Sequence, residues 1–232
     1  MTNPNLITNI EGKPKSGKTH LALTFPDPMI YFSFDIGLEP VLNKFKDKVV
    51  DVKTYPIPIV DSTKPKPYAQ SIWSSFTKDY ASAIDSTNYQ TAVIDTGTIL
   101  YMLARHARQE ELKQPYMLPR DYGEIYARLI ALVQRPRVGG MNLVITHWLR
   151  DRYVDDKNTG TSELDGWKGT IDYVDLSLRI RREIRDVMVD GKKARKNIIV
   201  TSIEDNRYEK DLNGMEFDDV TYEDLISLIV GG

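Results

Sequence analysis

Residues Glu11 to His20 read EGKPKSGKTH, and Gly12, Gly17, Lys18 and Thr19 within them satisfy the spacing G-x-x-x-x-G-K-[ST]. That spacing is chemical. The glycines let the backbone curl so that successive N–H groups point inward at phosphate oxygens. A lysine at the seventh position reaches the β- and γ-phosphates, and a hydroxyl after it can join the shell of a Mg²⁺ ion. The expected nucleotide contacts are therefore Gly12, Lys13, Pro14, Lys15, Ser16, Gly17, Lys18, Thr19 and His20. A second chemical position is Asp95, which ends the β-branched run Thr91-Ala92-Val93-Ile94. A carboxylate there holds the metal shell beside a phosphate loop, as the Walker B element does, so Thr19 and Asp95 are the expected Mg²⁺ residues. Asp95 can equally cap a helix starting at Thr98, and the two roles are compatible.

Such a loop works only between a strand and a helix. Leu6 to Ile10 is expected to be a short buried strand, and Lys18 to Phe25 a helix that stops before Pro26. Met29 to Phe34 is a continuous apolar run ending at Asp35, as in parallel sheets covered on both faces. Thr54 to Pro67 is proline-rich and reads as an irregular surface loop. Tyr68 to Ile84 has helical spacing, as do the stripes around Leu100–Leu103 and Ile125–Val133, and Asp121 is placed to cap the last of these. Met141 to Thr146 is another buried strand, ending at His147. A histidine at the carboxyl edge of a central strand either serves the structure or hydrogen-bonds the γ-phosphate. His20 and His106 have no such position, and their side chains read as structural or surface groups.

Arg150 to Gly169, RDRYVDDKNTGTSELDGWKG, is long and polar for a connection within a compact domain. Arg150, Arg152, Lys157 and Lys168 lie among Trp148, Tyr153 and Trp167. That mixture suits a single-stranded nucleic-acid groove, and a solvated surface loop is the alternative. Arg179 to Lys196 carries eight basic and three acidic residues, with a hairpin-turn signal at Asp190-Gly191. Asn197 to Ser202 supplies a last strand, and Thr221 with Asp224 opens a short final helix.

The 232 residues fit one α/β domain over 1–232, with a core at about 5–180 and C-terminal strands and a short helix over 181–232. A net charge of −2 leaves any nucleic-acid binding to local patches. The absence of cysteine excludes disulfides and thiolate chemistry. No targeting segment or long apolar stretch is visible, so a cytoplasmic location without membrane contact is expected.

FSFDIGLEPVLNKF resembles the segment after the second strand in bacterial RecA, through the register of Leu38-Glu39-Pro40. Asp95-Thr96 matches the Walker B pair of the RecA-like ATPases, and Ile145 to Arg150 their γ-phosphate sensor segment. The size and the Thr-His-Trp sensor look most like the short phage ATP-dependent single-strand annealing recombinases. The resemblance implies a RecA-like P-loop fold with a mostly parallel sheet, flanking helices and an antiparallel C-terminal hairpin. It implies catalytic roles for Lys18, for Asp35 in activating the attacking water, and for His147 in sensing the γ-phosphate. Lys168 would lie near a neighbouring subunit's ATP. Implied cofactors and partners are ATP, Mg²⁺, single-stranded DNA, further copies in a ring or filament, and a single-strand-binding protein; a phage-encoded chain would work in the host cytoplasm. Three positions depart from RecA. Asp35 replaces a glutamate, Leu42 replaces the tyrosine that stacks on adenine, and the N-terminal polymerisation segment has no counterpart before the first strand. A helicase- or packaging-type motor, a nucleotide phosphotransferase and a non-hydrolysing nucleotide-gated protein remain alternative readings.

Overall fold

The computed structural model describes residues 5–35, 37–56, 69–189, 192–208 and 211–230. Nine strands form one sheet: β1 (Ile7–Gly12), β2 (Met29–Ser33), β3 (Val50–Thr54), β4 (Thr91–Asp95), β5 (Asn142–Val154), β6 (Lys157–Asp165), β7 (Leu176–Val189), β8 (Lys192–Asn206) and β9 (Glu216–Asp218). Their order is β3-β2-β4-β5-β1-β7-β8-β9, with β6 paired to β5 outside that path. From β3 through β7 every pairing is parallel, and β8, β9 and β6 are antiparallel additions. This is the α/β P-loop arrangement expected from the sequence.

Two helical layers cover the sheet because successive residues of a strand face opposite ways. Ile10, Tyr31, Val93, Val144 and Leu178 pack with α1 (Lys18–Ala22) and α7 (Tyr222–Val230). Ile7, Phe32, Ile94 and Ile145 pack with α3 (Ala69–Asp85), α4 (Gly97–Leu112) and α5 (Tyr122–Val138). Two short helices, α2 (Glu39–Leu42) and α6 (Thr170–Tyr173), and a 3-10 turn at Pro119–Asp121 complete the described elements. α7 opens as the sequence predicts: Thr221 N donates to the Asp224 carboxylate, and Asp224 N donates back to Thr221 Oγ1.

Several expectations are corrected. Arg150 to Gly169 is not an irregular loop: β5 continues past His147 to Val154 and turns back as β6, making a two-stranded ribbon. Its outer part, Arg150 to Thr161, is exposed and mostly polar, while its base is anchored by buried Leu164. The edge strand β3 was not foreseen, since only one side of it is paired and most of it is exposed. Thr96, not Asp95, caps α4, accepting from Ile99 N at 3.2 Å. Asp121 does not cap α5 with its side chain; it accepts from Leu118 N and closes the turn before the helix. Ile57 to Pro67 of the proline-rich segment and the Asp190-Gly191 turn lie outside the described residues. Among those residues no helix is long and apolar enough to cross a membrane.

Candidate active site

The phosphate loop leaves β1 at Gly12 and enters α1 at Lys18, at the carboxyl edge of the parallel strands, where open α/β sheets place their ligands. Gly17 has φ of 116°, a left-handed conformation suited to glycine, and a Cβ there would lie 2.9 Å from Ile199 Cδ1 of β8. Lys18 is 6% exposed, and its Nζ donates to the carbonyls of Gly12 at 2.8 Å and Lys13 at 2.9 Å. Burial lowers its pKa, while the charges of Asp95 and Asp35 act in the opposite direction. Asp95 on β4 and Asp35 at the exit from β2 thus both act on the ammonium's charge.

Asp95 is the centre of a buried polar cluster. Its Oδ2 accepts from Thr19 Oγ1 at 3.3 Å and from the Tyr31 hydroxyl at 2.5 Å, and its Oδ1 accepts from Thr146 Oγ1. Burial first, and then the Asp95 carboxylate, push the Tyr31 hydroxyl well above its ordinary pKa, so it stays a donor. Side chains from three other elements therefore converge on one carboxylate. Tyr31 and Thr146 were not singled out as site residues, because in sequence both look like members of apolar strands.

His147 lies one residue beyond Thr146 and so points to the opposite face of the sheet. It is 1% exposed, with Nδ1 2.7 Å from Asn9 Oδ1, and Asn9 Nδ2 in turn donates to Ser177 Oγ. That chain places the ring proton on Nδ1. On the other side, a Cβ on Gly97 would fall 2.4 Å from Nε2, and Gly166 also lies against the ring. Burial, reinforced by the Lys18 charge, pushes the His147 pKa down to about 3. The side chain is a neutral wedge between β1, the start of α4 and the base of the ribbon. It is Thr146, not His147, that shares a face with Asp95.

Of the expected DNA contacts, Arg150 and Lys168 both engage Glu163, at 2.8 Å and 2.5 Å. Arg152 and Lys157 are exposed farther out on the ribbon, beside Tyr153, which is 61% exposed. The segment Arg150–Gly169 holds four basic and five acidic residues, a net charge of −1. The β7–β8 ribbon carries the larger positive excess, though Arg179, Arg181 and Arg185 are paired with carboxylates.

A divalent ion fits this donor set. Among the described residues no three His, Cys, Asp or Glu side chains cluster as a dedicated metal cage. One carboxylate beside one hydroxyl is what Mg²⁺ takes when phosphates and water fill its other positions.

A family model described as an AAA domain matches residues 5–175. No curated protein matches the chain.

Proposed function

The chain belongs to the AAA domain family and is a P-loop ATPase domain, and on that premise we propose that it hydrolyses ATP under the control of single-stranded DNA, in phage-type recombination or strand annealing. The observation that carries the ATP half is the convergence of Lys18, Thr19 and Asp95 at one sheet edge, with Asp35 close enough to act on the Lys18 charge. The loop amides bind the triphosphate, and Lys18 exchanges its two carbonyl partners for β- and γ-phosphate oxygens. Thr19 and Asp95 would hold Mg²⁺, which would supply charge neutralisation on the phosphates. Tyr31 and Thr146 fix the orientation of the Asp95 carboxylate. Asp35 orients the attacking water and accepts its proton. Most of the work is positioning and charge stabilisation.

The DNA half is supported by continuity of one strand. Thr146 touches Asp95, His147 wedges the next position, and the same strand runs on into the ribbon bearing Arg152, Tyr153 and Lys157. A basic, aromatic ribbon suits phosphates and unstacked bases, and several copies of the chain would line up such ribbons along a strand. In this arrangement Lys168 lies near a neighbour's ATP, and His147 passes the γ-phosphate state to the ribbon by moving with Thr146 instead of by touching phosphate.

The deciding experiment is the ATP hydrolysis rate with and without single-stranded DNA at two salt concentrations. The expected result is stimulation that weakens as salt rises. A rate indifferent to DNA sinks the DNA half and favours a phosphotransferase or a nucleotide-gated protein. ATP-driven movement along DNA without annealing identifies a motor.

A further inference from the structure

The first half of α4 and the root of the β5–β6 ribbon bound a cleft of about 430 Å³, within the size of small-molecule sites, roughly 300–1,000 Å³. α4 lends it Tyr101, Met102 and Arg105, and the ribbon lends Trp148, Arg150 and Asp165. The phosphate loop and Asp95 do not line it. Tyr101 and Arg105 are four residues apart and so share a face of the helix. The Arg105 guanidinium carbon lies 5.7 Å from the centroid of the Tyr101 ring and 5.7 Å from that of Tyr122. Tyr122 is backed by Tyr126, which stacks on Trp167 with centroids 6.0 Å apart. The guanidinium is thus braced by π faces. Among the described residues no carboxylate pairs with it, and its Nε is buried without a hydrogen-bond partner. Arg150 differs: it is committed to Glu163 at 2.8 Å and lies 3.9 Å from Asp165. The positive charge left uncompensated on this cleft is therefore that of Arg105.

We propose that this cleft takes one nucleotide unit, with its phosphate on Arg105 and its base against Trp148 and Met102. A planar guanidinium held in place by rings presents its donors as a fixed fork, the geometry that phosphate oxygens accept in pairs. An indole and a thioether beside it offer a base the polarizable, sequence-tolerant contact that unstacked bases need. Asp165, directly across the ladder from Trp148, adds an acceptor for the exocyclic amino group that cytosine, adenine and guanine carry and thymine lacks. The same chemistry belongs to a nucleotide of a single strand and to a free mononucleotide. In its strand form the proposal rests on the DNA reading above and moves the anchoring contact from the outer ribbon to its root.

The test is made in the Lys18→Ala protein, which removes the phosphate loop as a competing site. Calorimetry measures binding of deoxycytidine monophosphate, of deoxyribose 5-phosphate, which has no base, and of an oligo(dC) strand. Arg105→Met keeps a stem between the two tyrosines and removes the fork. It should weaken binding about tenfold or more, the loss expected for a charge-assisted hydrogen bond. Arg105→Lys keeps the charge without the fork, should lose less, and gives the readout if the methionine variant does not fold. Weakening of the strand, with or without the mononucleotide, places a strand's nucleotide in the cleft. Weakening of the mononucleotide alone makes the free compound its occupant, and if no strand binds at all, the DNA reading falls while the cleft stands. A strand and a mononucleotide both indifferent to Arg105 overturn the cleft and leave the DNA reading in place. Deoxyribose 5-phosphate bound as tightly as the mononucleotide overturns the base contact and with it the nucleotide assignment.

Discussion

The Thr98 hydroxyl donates to the Asp165 carbonyl at 2.5 Å while accepting from Trp148 N at 3.0 Å, so one side chain at the start of α4 clasps both strands of the ribbon at its base. Thr98 is three residues past Asp95, and the clasp ties the turn proposed to hold Mg²⁺ to the element proposed to touch DNA. Thr98→Val keeps the shape and removes both bonds. The expected outcome is a loss of most DNA stimulation with basal ATP hydrolysis within about twofold, and a stability cost of about 1–2 kcal/mol. DNA stimulation undiminished in this variant would remove the clasp from the coupling path.

Lys18→Ala is expected to abolish ATP binding, and calorimetry that still finds tight ATP would refute the phosphate-loop assignment. Asp95→Asn preserves volume and removes the charge that faces Lys18 and Thr19. Its hydrolysis rate should fall by about 100-fold or more, with ATP still bound. A rate near the wild type would move the metal-binding role elsewhere.

The Glu163 pairs change which ribbon cations matter. Arg150 and Lys168 already spend their charge on a carboxylate, while Arg152 and Lys157 have no ion pair among the described residues. Removing the charges of Arg152 and Lys157 together should weaken binding to single-stranded DNA and flatten its salt dependence by about one to two in logarithmic slope. Arg150→Ala alone should do less. An unchanged slope in the double variant would shift the DNA surface to the β7–β8 ribbon.

His147 makes stability depend on acid. The folded protein holds the ring neutral down to about pH 3, whereas the unfolded chain takes up a proton below about pH 6.5. A group whose folded pKa is lowered contributes fully above the unfolded value and loses that contribution as pH falls. Stability should therefore drop by up to about 1.4 kcal/mol per pH unit between pH 6 and 3 on account of this residue. Urea unfolding of the wild type and His147→Gln at pH 7 and pH 5 should show the smaller pH dependence in the variant. Equal dependence would mean that the ring titrates normally when folded.

Much of this site could be read from the sequence because its core is local. A phosphate loop is eight residues whose spacing carries its own geometry, and Asp95 stands at the end of a recognisable strand. What escaped notice depends on register. Tyr31 and Thr146 reach Asp95 only because β2, β4 and β5 lie side by side in a particular alignment. Whether Thr146 or His147 faces the carboxylate turns on a single step along a strand, which the apolar run Met141–Ile145 does not fix. The ribbon was missed for a different reason. Strand patterns show in a sequence through burial, and most of β6 and the outer half of β5 are exposed.

Glu163 holds Arg150 with one oxygen and Lys168 with the other, in the manner of a phosphodiester bridging two cations. Any strand that takes those two cations must first evict the chain's own carboxylate. Engagement there is an exchange of one anion for another, so its free energy is a small difference and its reversal has a partner waiting. On the proposed DNA reading, a protein that grips a strand and lets it go is helped by carrying its own competitor.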